Sequence, residues 1–327
     1  MGNLDRIYIV LSKTLVVLIT LSIFTSCSKP TKAPLRIASS PWPGYEPLYL
    51  AQDLGYFDVE TVNLFELPSS DIARESFRNH SSDLATITLD ETLKLLHGGT
   101  KLKILLIMDI SNGGDAVMVG PEIKELHDIK GKRISIINIP LGLYMLNRLL
   151  TKAGVDRSDV EVFQMAESKQ LQFYKEGKAD VVITFDPVKT RLADEGLHVL
   201  FDSSDIPNEI FDMLVVHDDV FNDRQEEICG VVSQWYKALE YIDSNKVDAA
   251  KRITRRLNMD TTQFDNMMSG IVLPTREDNI HLLSGNTPGL IKSVTLLSKI
   301  MVDGKQLSQP VDASGAIDSD FAQCHKK

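Results

Sequence analysis

The sequence predicts an α/β protein built as two doubly wound lobes, on three observations. Strand-like apolar runs alternate with helical patterns from Leu35 to Phe201, and after Phe221 the pattern turns almost wholly helical. Polar, flexible stretches break the alternation twice, at Ser111-Asn112-Gly113-Gly114 and at Asp202-Ser203-Ser204-Asp205. Alternation of this kind makes βαβ units, mostly parallel sheets covered by helices on both faces. Two polar crossings make a hinge, because a few residues in each can absorb the dihedral change of closure.

The strand-like runs are, in order, RIAS, VNLFEL, LATIT, KILLIMDI, AVMVG, RISII, VEVFQM, DVVITF and HVLF. Between them, EPLYLAQDL, SDIARESFRN, DETLKLLHGG, GLYMLNRLLTKAG, SKQLQFYKEG and DPVKTRLADEG carry helical periodicity and end near Gly, Asn or a polar turn. Farther on, Gln225 to Ile242, Val247 to Leu257, Thr261 to Met268 and Leu290 to Met301 read as amphipathic helices. The expected organisation is a first lobe of residues 35–112 and 206–327 and a second of residues 113–205.

Ahead of the lobes, Arg6 and Lys13 precede an apolar run from Thr14 to Phe24, then Thr25-Ser26 and Cys27. This reads as an export signal over residues 1–26 whose cleavage leaves Cys27 to be lipidated, with residues 27–34 as a tether. The bulk of the chain is then expected outside the cytoplasm, on the periplasmic side or the cell surface. With 327 residues, 43% of them hydrophobic, the chain can bury a large core. The net charge of −10 argues against nucleic acid as a partner. The basic stretch KRITRRL reads as a solvated helix face.

Catalytic signatures are absent from the sequence. The seven histidines are scattered, with no HExxH, no Cys-x-x-Cys, no GxSxG elbow and no GxxxxGK[ST] loop. No metal, cofactor or catalytic residue is therefore expected. Cys229 lies beside the apolar stripe Ile228, Val232, Trp235, Leu239 and reads as a buried free thiol, a bridge to Cys324 being the less favoured alternative.

One stretch carries a family resemblance. Ser39 to Phe57, SSPWPGYEPLYLAQDLGYF, resembles the first β-loop-α unit of nitrate/sulfonate/taurine-type (NMT1/THI5-like) extracytoplasmic solute-binding proteins of ABC importers. Similar pieces follow at FRNHSSDLATITLDE, DISNGGDA, DIKGKRISI, KEGKADVVITFDP and VLFDSSDIP. The resemblance implies the type II periplasmic-binding-protein fold, a monomer, and a small-molecule solute handed to an ABC permease.

In open α/β sheets ligands bind beyond the carboxyl ends of the strands, so the loops after each strand supply the candidates. Ser40, Trp42 and Tyr45 follow the first strand; Thr88 and Asp90 the third; Asn112 and Asp115 stand at the first crossing; Gly142 and Asp186 belong to the second lobe. The helix starts near Gly44 and Gly142 could face an anionic head, at about 0.3–1 kcal/mol each from the helix dipole. Asp90 and Asp186 suit an ammonium or amidine, or cap the helices that follow them. Together these suggest a zwitterion such as an aminosulfonate, or an aminated heterocycle. Two other functions fit the same cleft: a sensing subunit for a membrane signalling receptor, and a periplasmic lyase.

Overall fold

The computed structural model describes residues 32–284, 289–317 and Cys324. The expected export signal, Cys27 and most of the expected tether lie outside the described residues. Among those described, no helix is long and apolar enough to cross a membrane.

The chain runs β1 (Leu35–Ser39), α1 (Glu46–Asp53), β2 (Val62–Glu66), α2 (Ser70–Arg78), β3 (Leu84–Thr88), α3 (Leu89–His97) and β4 (Leu102–Ser111). It then crosses to β5 (Ala116–Val119), β6 (Arg133–Ile137), α4 (Pro140–Ala153), β7 (Glu161–Met165), α5 (Glu167–Lys175), β8 (Val181–Thr184), α6 (Val188–Asp194) and β9 (His198–Asp202). Crossing back, it forms β10 (Phe211–His217), α7 (Asp218–Asp223), α8 (Gln225–Ser244), α9 (Lys246–Leu257), α10 (Thr261–Ser269), β11 (Ile271–Val272), α11 (Arg276–Leu283) and α12 (Gly289–Asp303).

These strands form two sheets, ordered β11-β4-β10-β3-β1-β2 and β7-β6-β8-β5-β9. Each has a parallel core, β2-β1-β3 in the first and β7-β6-β8 in the second. Each also holds an inserted antiparallel strand, β10 between β3 and β4, and β5 between β8 and β9. The chain path accounts for both. A strand entered from the other lobe starts at the seam, where its parallel neighbours end, so it must run against them.

The run FDMLVVH, which is not among the strand-like runs read from sequence, is the inner strand β10, buried along its whole length. A strand buried on both faces shows no alternation to read. The strand-like runs and helical patterns fall on elements of the expected type, while α11 and the two-residue β11 carry too little periodicity to be seen in the sequence.

The outer edge of β4 is covered piecewise. β11 pairs with Ile110 and Ser111, and Ile317 bridges to Ile104. Between them the buried Asn279 side chain replaces a strand, its Oδ1 accepting from Ile107 N at 2.7 Å and its Nδ2 donating to Ile107 O at 3.0 Å. Asn279→Ala leaves both backbone groups unpaired in the core, and urea unfolding should show a loss of about 2–4 kcal/mol, one desolvation penalty for each group. A loss under 0.5 kcal/mol would mean that this edge needs no cover.

Cys229 on α8 and Cys324 are joined by a disulfide, their Cα atoms 5.3 Å apart, which corrects the free-thiol reading. Sequence cannot register that approach, because the two positions are 95 residues apart and packing brings them together.

Candidate ligand site between the lobes

The seam is framed where strands end or begin. β1, β3, β4 and β8 deliver their carboxyl ends to it, while β5 and β10 start there. Carboxylates thus enter the seam from both kinds of terminus: Asp109 near the end of β4, Asp212 at the start of β10, and Asp115 just before β5.

The two crossings are laced to one another. The Ser111 and Ser203 hydroxyls lie 2.7 Å apart, Gly113 N donates to Ser203 Oγ at 2.6 Å, and Ser203 N donates to Asp115 O at 2.9 Å. Lys189 of α6 donates to Gly113 O at 2.6 Å. On the far side α4 meets the other lobe, Arg148 pairing with Glu209 at 2.8 Å and Gln306 donating to Pro140 O at 2.9 Å. The lobes are therefore in contact on both flanks of the seam.

Between the flanks lies an inner chamber lined by both lobes. Ser40, Trp42, Tyr45, Thr88 and Asp212 face Asp115, Ile139, Leu141, Glu167 and Phe185 across it, with Ser69 and Ser70 at its rim. Its free volume is about 30 Å³, the room one water occupies. A wider groove of about 330 Å³ opens beyond Trp42, lined by Glu66, Asp186, Thr190, Arg191 and Arg256 among others. Trp42 and Phe185, one from each lobe, meet edge to face with ring centroids 5.6 Å apart.

Beneath the aromatic wall sits a carboxyl pair. Trp42 Nε1 donates to Asp109 Oδ2 at 2.9 Å, and the Tyr45 hydroxyl donates to Asp212. Asp109 and Asp212 are register partners on β4 and β10. Both are buried, and burial pushes both carboxyls up; the Asp115 charge adds to this at Asp109 and the Asp109 charge at Asp212, while the Trp42 and Tyr45 hydrogen bonds oppose it. Gly44 is what lets Asp109 in: a Cβ there would lie 1.7 Å from Asp109 Oδ2. Gly44→Ala must displace the carboxylate and its Trp42 bond. The expected result is a loss of about 1–3 kcal/mol in thermal unfolding together with an altered Trp emission spectrum. An unchanged spectrum would refute the coupling.

The other acids behave similarly. Burial pushes Asp90 up to about 7, helped by the neighbouring Glu91 charge. It pushes Asp115 up to about 6, held back by the Ser111 hydrogen bond and Lys189. Glu167 rises to about 7 from burial, with the Asp71 charge adding and Arg191 opposing. Burial pushes Glu91 up as well, opposed by the Arg74 charge and by the hydrogen bonds it accepts from Ser70 and from Arg74 at 3.1 Å.

Three buried carboxylate oxygens have no hydrogen-bond partner in the protein: Asp90 Oδ2, Asp109 Oδ1 and Asp115 Oδ2. Among the described residues no Lys, Arg or His lines the inner chamber. An anionic head placed between the two helix starts would therefore meet the carboxyls of Asp115, Asp212 and Glu167 with no basic side chain in the lining. Chemically the chamber offers acceptors and aromatic faces, which suits a cation or a cluster of N–H donors.

The structure brings five of the sequence candidates, Ser40, Trp42, Tyr45, Thr88 and Asp115, into the lining of one chamber. Asp90 lies buried behind Thr88 and outside the chamber lining. Asp186 lines the outer groove, where its Oδ1 caps α6 by accepting from Thr190 N at 3.0 Å. Asn112 and Gly142 do not reach the chamber. Asn112 is exposed, with its backbone N bound to Gly270 O at 2.8 Å. At Gly142 a Cβ would come 2.2 Å from Ile137 O, so this glycine serves close helix-strand packing. Sequence reasoning missed Asp212 with its strand, and Asp109, Glu167 and Phe185. Of these, Asp109 and Phe185 follow the strand-end rule already applied to Thr88.

The fold is that of the periplasmic binding proteins. It matches the periplasmic aliphatic sulphonate binding protein SsuA of Escherichia coli at a TM-score of 0.71 and 14% identity, over 88% of this chain and 92% of that one. The alkanesulfonate-binding SsuA of Xanthomonas axonopodis, solved with MOPS, matches at 0.71 and 15%, over 88% and 98%. A Candida albicans protein, the CA3427 gene product, described as having the generic periplasmic binding protein fold, matches at 0.66 and 13%, over 89% and 94%. No curated protein matches the chain by sequence. The NMT1/THI5-like family profile matches residues 42–249, and the chain belongs to that family.

Proposed function

We propose that this protein is the extracytoplasmic solute-binding component of an ABC importer, lipid-anchored through Cys27, whose ligand carries a positive, N–H-rich end. It binds without chemistry, taking its solute between a lobe of residues 35–112 and 206–327 and a lobe of residues 113–205, and presents the closed form to a permease. Family membership and the fold support the transport role. The single observation carrying the ligand class is a chamber lined by three carboxyls, Asp115, Glu167 and Asp212, and by no basic side chain, with Asp115 Oδ2 buried and unpartnered.

An aminated heterocycle fits best, since its ring can lie against Trp42 and Phe185 while its N–H groups meet Asp115 and Asp212. The lobes must part to admit it, because the closed chamber has room for about one water. Closure then follows from contacts that both lobes make only with the ligand between them.

A thermal-shift screen of the full chain tests this, with aminopyrimidines, amidines, taurine, alkanesulfonates and nitrate as probes. An N–H-rich cation at about 100 times its dissociation constant should add about 2.7 kcal/mol of stability. Stabilisation by nitrate or simple alkanesulfonates alone overturns the ligand class. Recovery of the bound probe chemically altered overturns the binding role.

A further inference from the structure

A second cluster of chemistry-bearing side chains lies outside the seam, at the turn between α2 and β3. His80 follows α2, and His217 and Asp219 straddle the junction of β10 and α7. One donor atom from each of the three lies within 4.8 Å of the other two.

The histidines are close, and one of them is already oriented. His217 is buried and sandwiched, its ring stacked on Phe77 at 3.8 Å and on His80 at 3.8 Å. Its Nε2 lies 2.7 Å from Phe77 O. A carbonyl can only accept, so Nε2 carries the proton and Nδ1 keeps the lone pair. Fixing one ring nitrogen on a backbone carbonyl so that the other is free to ligate is the usual support of a metal-bound imidazole.

His80 adopts the left-handed backbone conformation at φ 59°. A side chain held there costs conformational energy, and the turn supports it through His80 N donating to Phe77 O at 3.0 Å and Arg36 donating to His80 O at 3.1 Å. This conformation sets the His80 ring on the open face of His217. The cluster opens on a surface hollow of about 900 Å³ whose rim includes Arg78, Lys94 and Lys101.

We propose that His80, His217 and Asp219 form a binding site for a divalent transition metal of the Zn²⁺ class, open on one side to an exogenous anion. Two imidazoles and a carboxylate make a three-ligand set with a fourth position free. A metal lies in the plane of each imidazole it binds, so His80 must swing off the face of His217 for both rings to reach one ion; the exposed His80 and Asp219 side chains can supply this by rotation. The rim of Arg78, Lys94 and Lys101 disfavours a bare dication and favours one whose open position holds an anion such as phosphate or a carboxylate. Bound metal would clasp the α2–β3 turn to the β10–α7 junction. This site is independent of the ligand proposed for the seam.

The test uses the full chain without a histidine tag, stripped with EDTA and titrated with Co²⁺. The expected result is one Co²⁺ per chain with a visible d–d band, displaced by Zn²⁺, and a Tm raised by metal. His80→Gln and Asp219→Asn, both at exposed positions, should each weaken Co²⁺ binding at least tenfold while leaving the metal-free Tm unchanged. Asp115→Asn should bind Co²⁺ as the parent chain does. Absence of stoichiometric Co²⁺ uptake, or uptake that survives the His80→Gln/Asp219→Asn double change, overturns the site. So does uptake lost in Asp115→Asn, which would move the metal to the seam.

Discussion

Asp115→Asn is expected to weaken binding of an amine-bearing ligand by about 100-fold while making the ligand-free protein more stable above pH 7. The two effects have one cause. Asp115 is buried with one carboxylate oxygen unpartnered, and burial raises its pKa to about 6. Because the native pKa lies above the unfolded one, its contribution to stability is full below about pH 4 and is lost as pH rises through 6.

At pH 8 that cost is the full shift of about two pKa units, roughly 3 kcal/mol, and the amide avoids it. Removing one partner of a buried charge-assisted hydrogen bond costs binding about 2–5 kcal/mol. Ligand-free stability should therefore fall from pH 5 to pH 8 in the parent chain and fall less in the variant. Ligand affinity should rise over the same window in the parent, since a cation restores the partner that ionisation demands. Urea unfolding and calorimetric titration at pH 5, 6.5 and 8 measure both. If Asp115→Asn destabilises the free protein at every pH, the carboxylate is a structural hydrogen-bond acceptor and the charge argument fails.

The same reasoning explains which parts of the site the sequence could reveal. Trp42 and Tyr45 stand in a Pro- and Gly-bounded loop after an alternating strand, so local pattern alone marks them. Thr88 is marked by position, at a strand end, and by Glu91 three residues later; the Glu91 carboxylate accepts from Thr88 N at 3.4 Å in a capping box. Asp212 has no such local mark. It faces the seam because the chain re-enters the first sheet from the hinge, and direction of entry is a property of topology. Glu167 opens α5 with the look of any first-turn acid. Its partners in the chamber come from segments spread from Ser40 to Asp212.

Helix starts at Gly44 and Gly142 suggest an anion site from sequence; in the structure both glycines are required by close approach, to Asp109 Oδ2 and to Ile137 O respectively. The first of these close approaches brings a buried carboxyl to the seam. A loop that reads as an anion cradle in one dimension thus becomes, once β4 packs against it, part of an acidic wall. The SsuA neighbours are named for sulfonates, but at 14–15% identity they share the scaffold, while the side chains at the seam decide the ligand.

Reducing the Cys229–Cys324 disulfide, or replacing Cys324 by Ser, should lower the unfolding free energy by about 2–4 kcal/mol. The bridge closes 95 residues, and a loop of about that length costs the unfolded chain up to roughly 4.7 kcal/mol of entropy when cross-linked. Residual structure in the reduced unfolded chain trims that figure. The bridge has supporting contacts on the native side: Arg276 donates to Cys324 O at 2.8 Å and stacks over Tyr236 of α8 with its guanidinium carbon 4.1 Å from the ring centre. Those contacts persist in the Cys324→Ser chain, so its loss should reflect the cross-link itself. Urea unfolding of oxidised, reduced and Cys324→Ser protein separates the possibilities. Equal losses in the last two identify the closed loop as the source; a loss confined to the serine variant would place it in the packing around Cys324. No loss in either would mean that the unfolded chain is already constrained without the bridge.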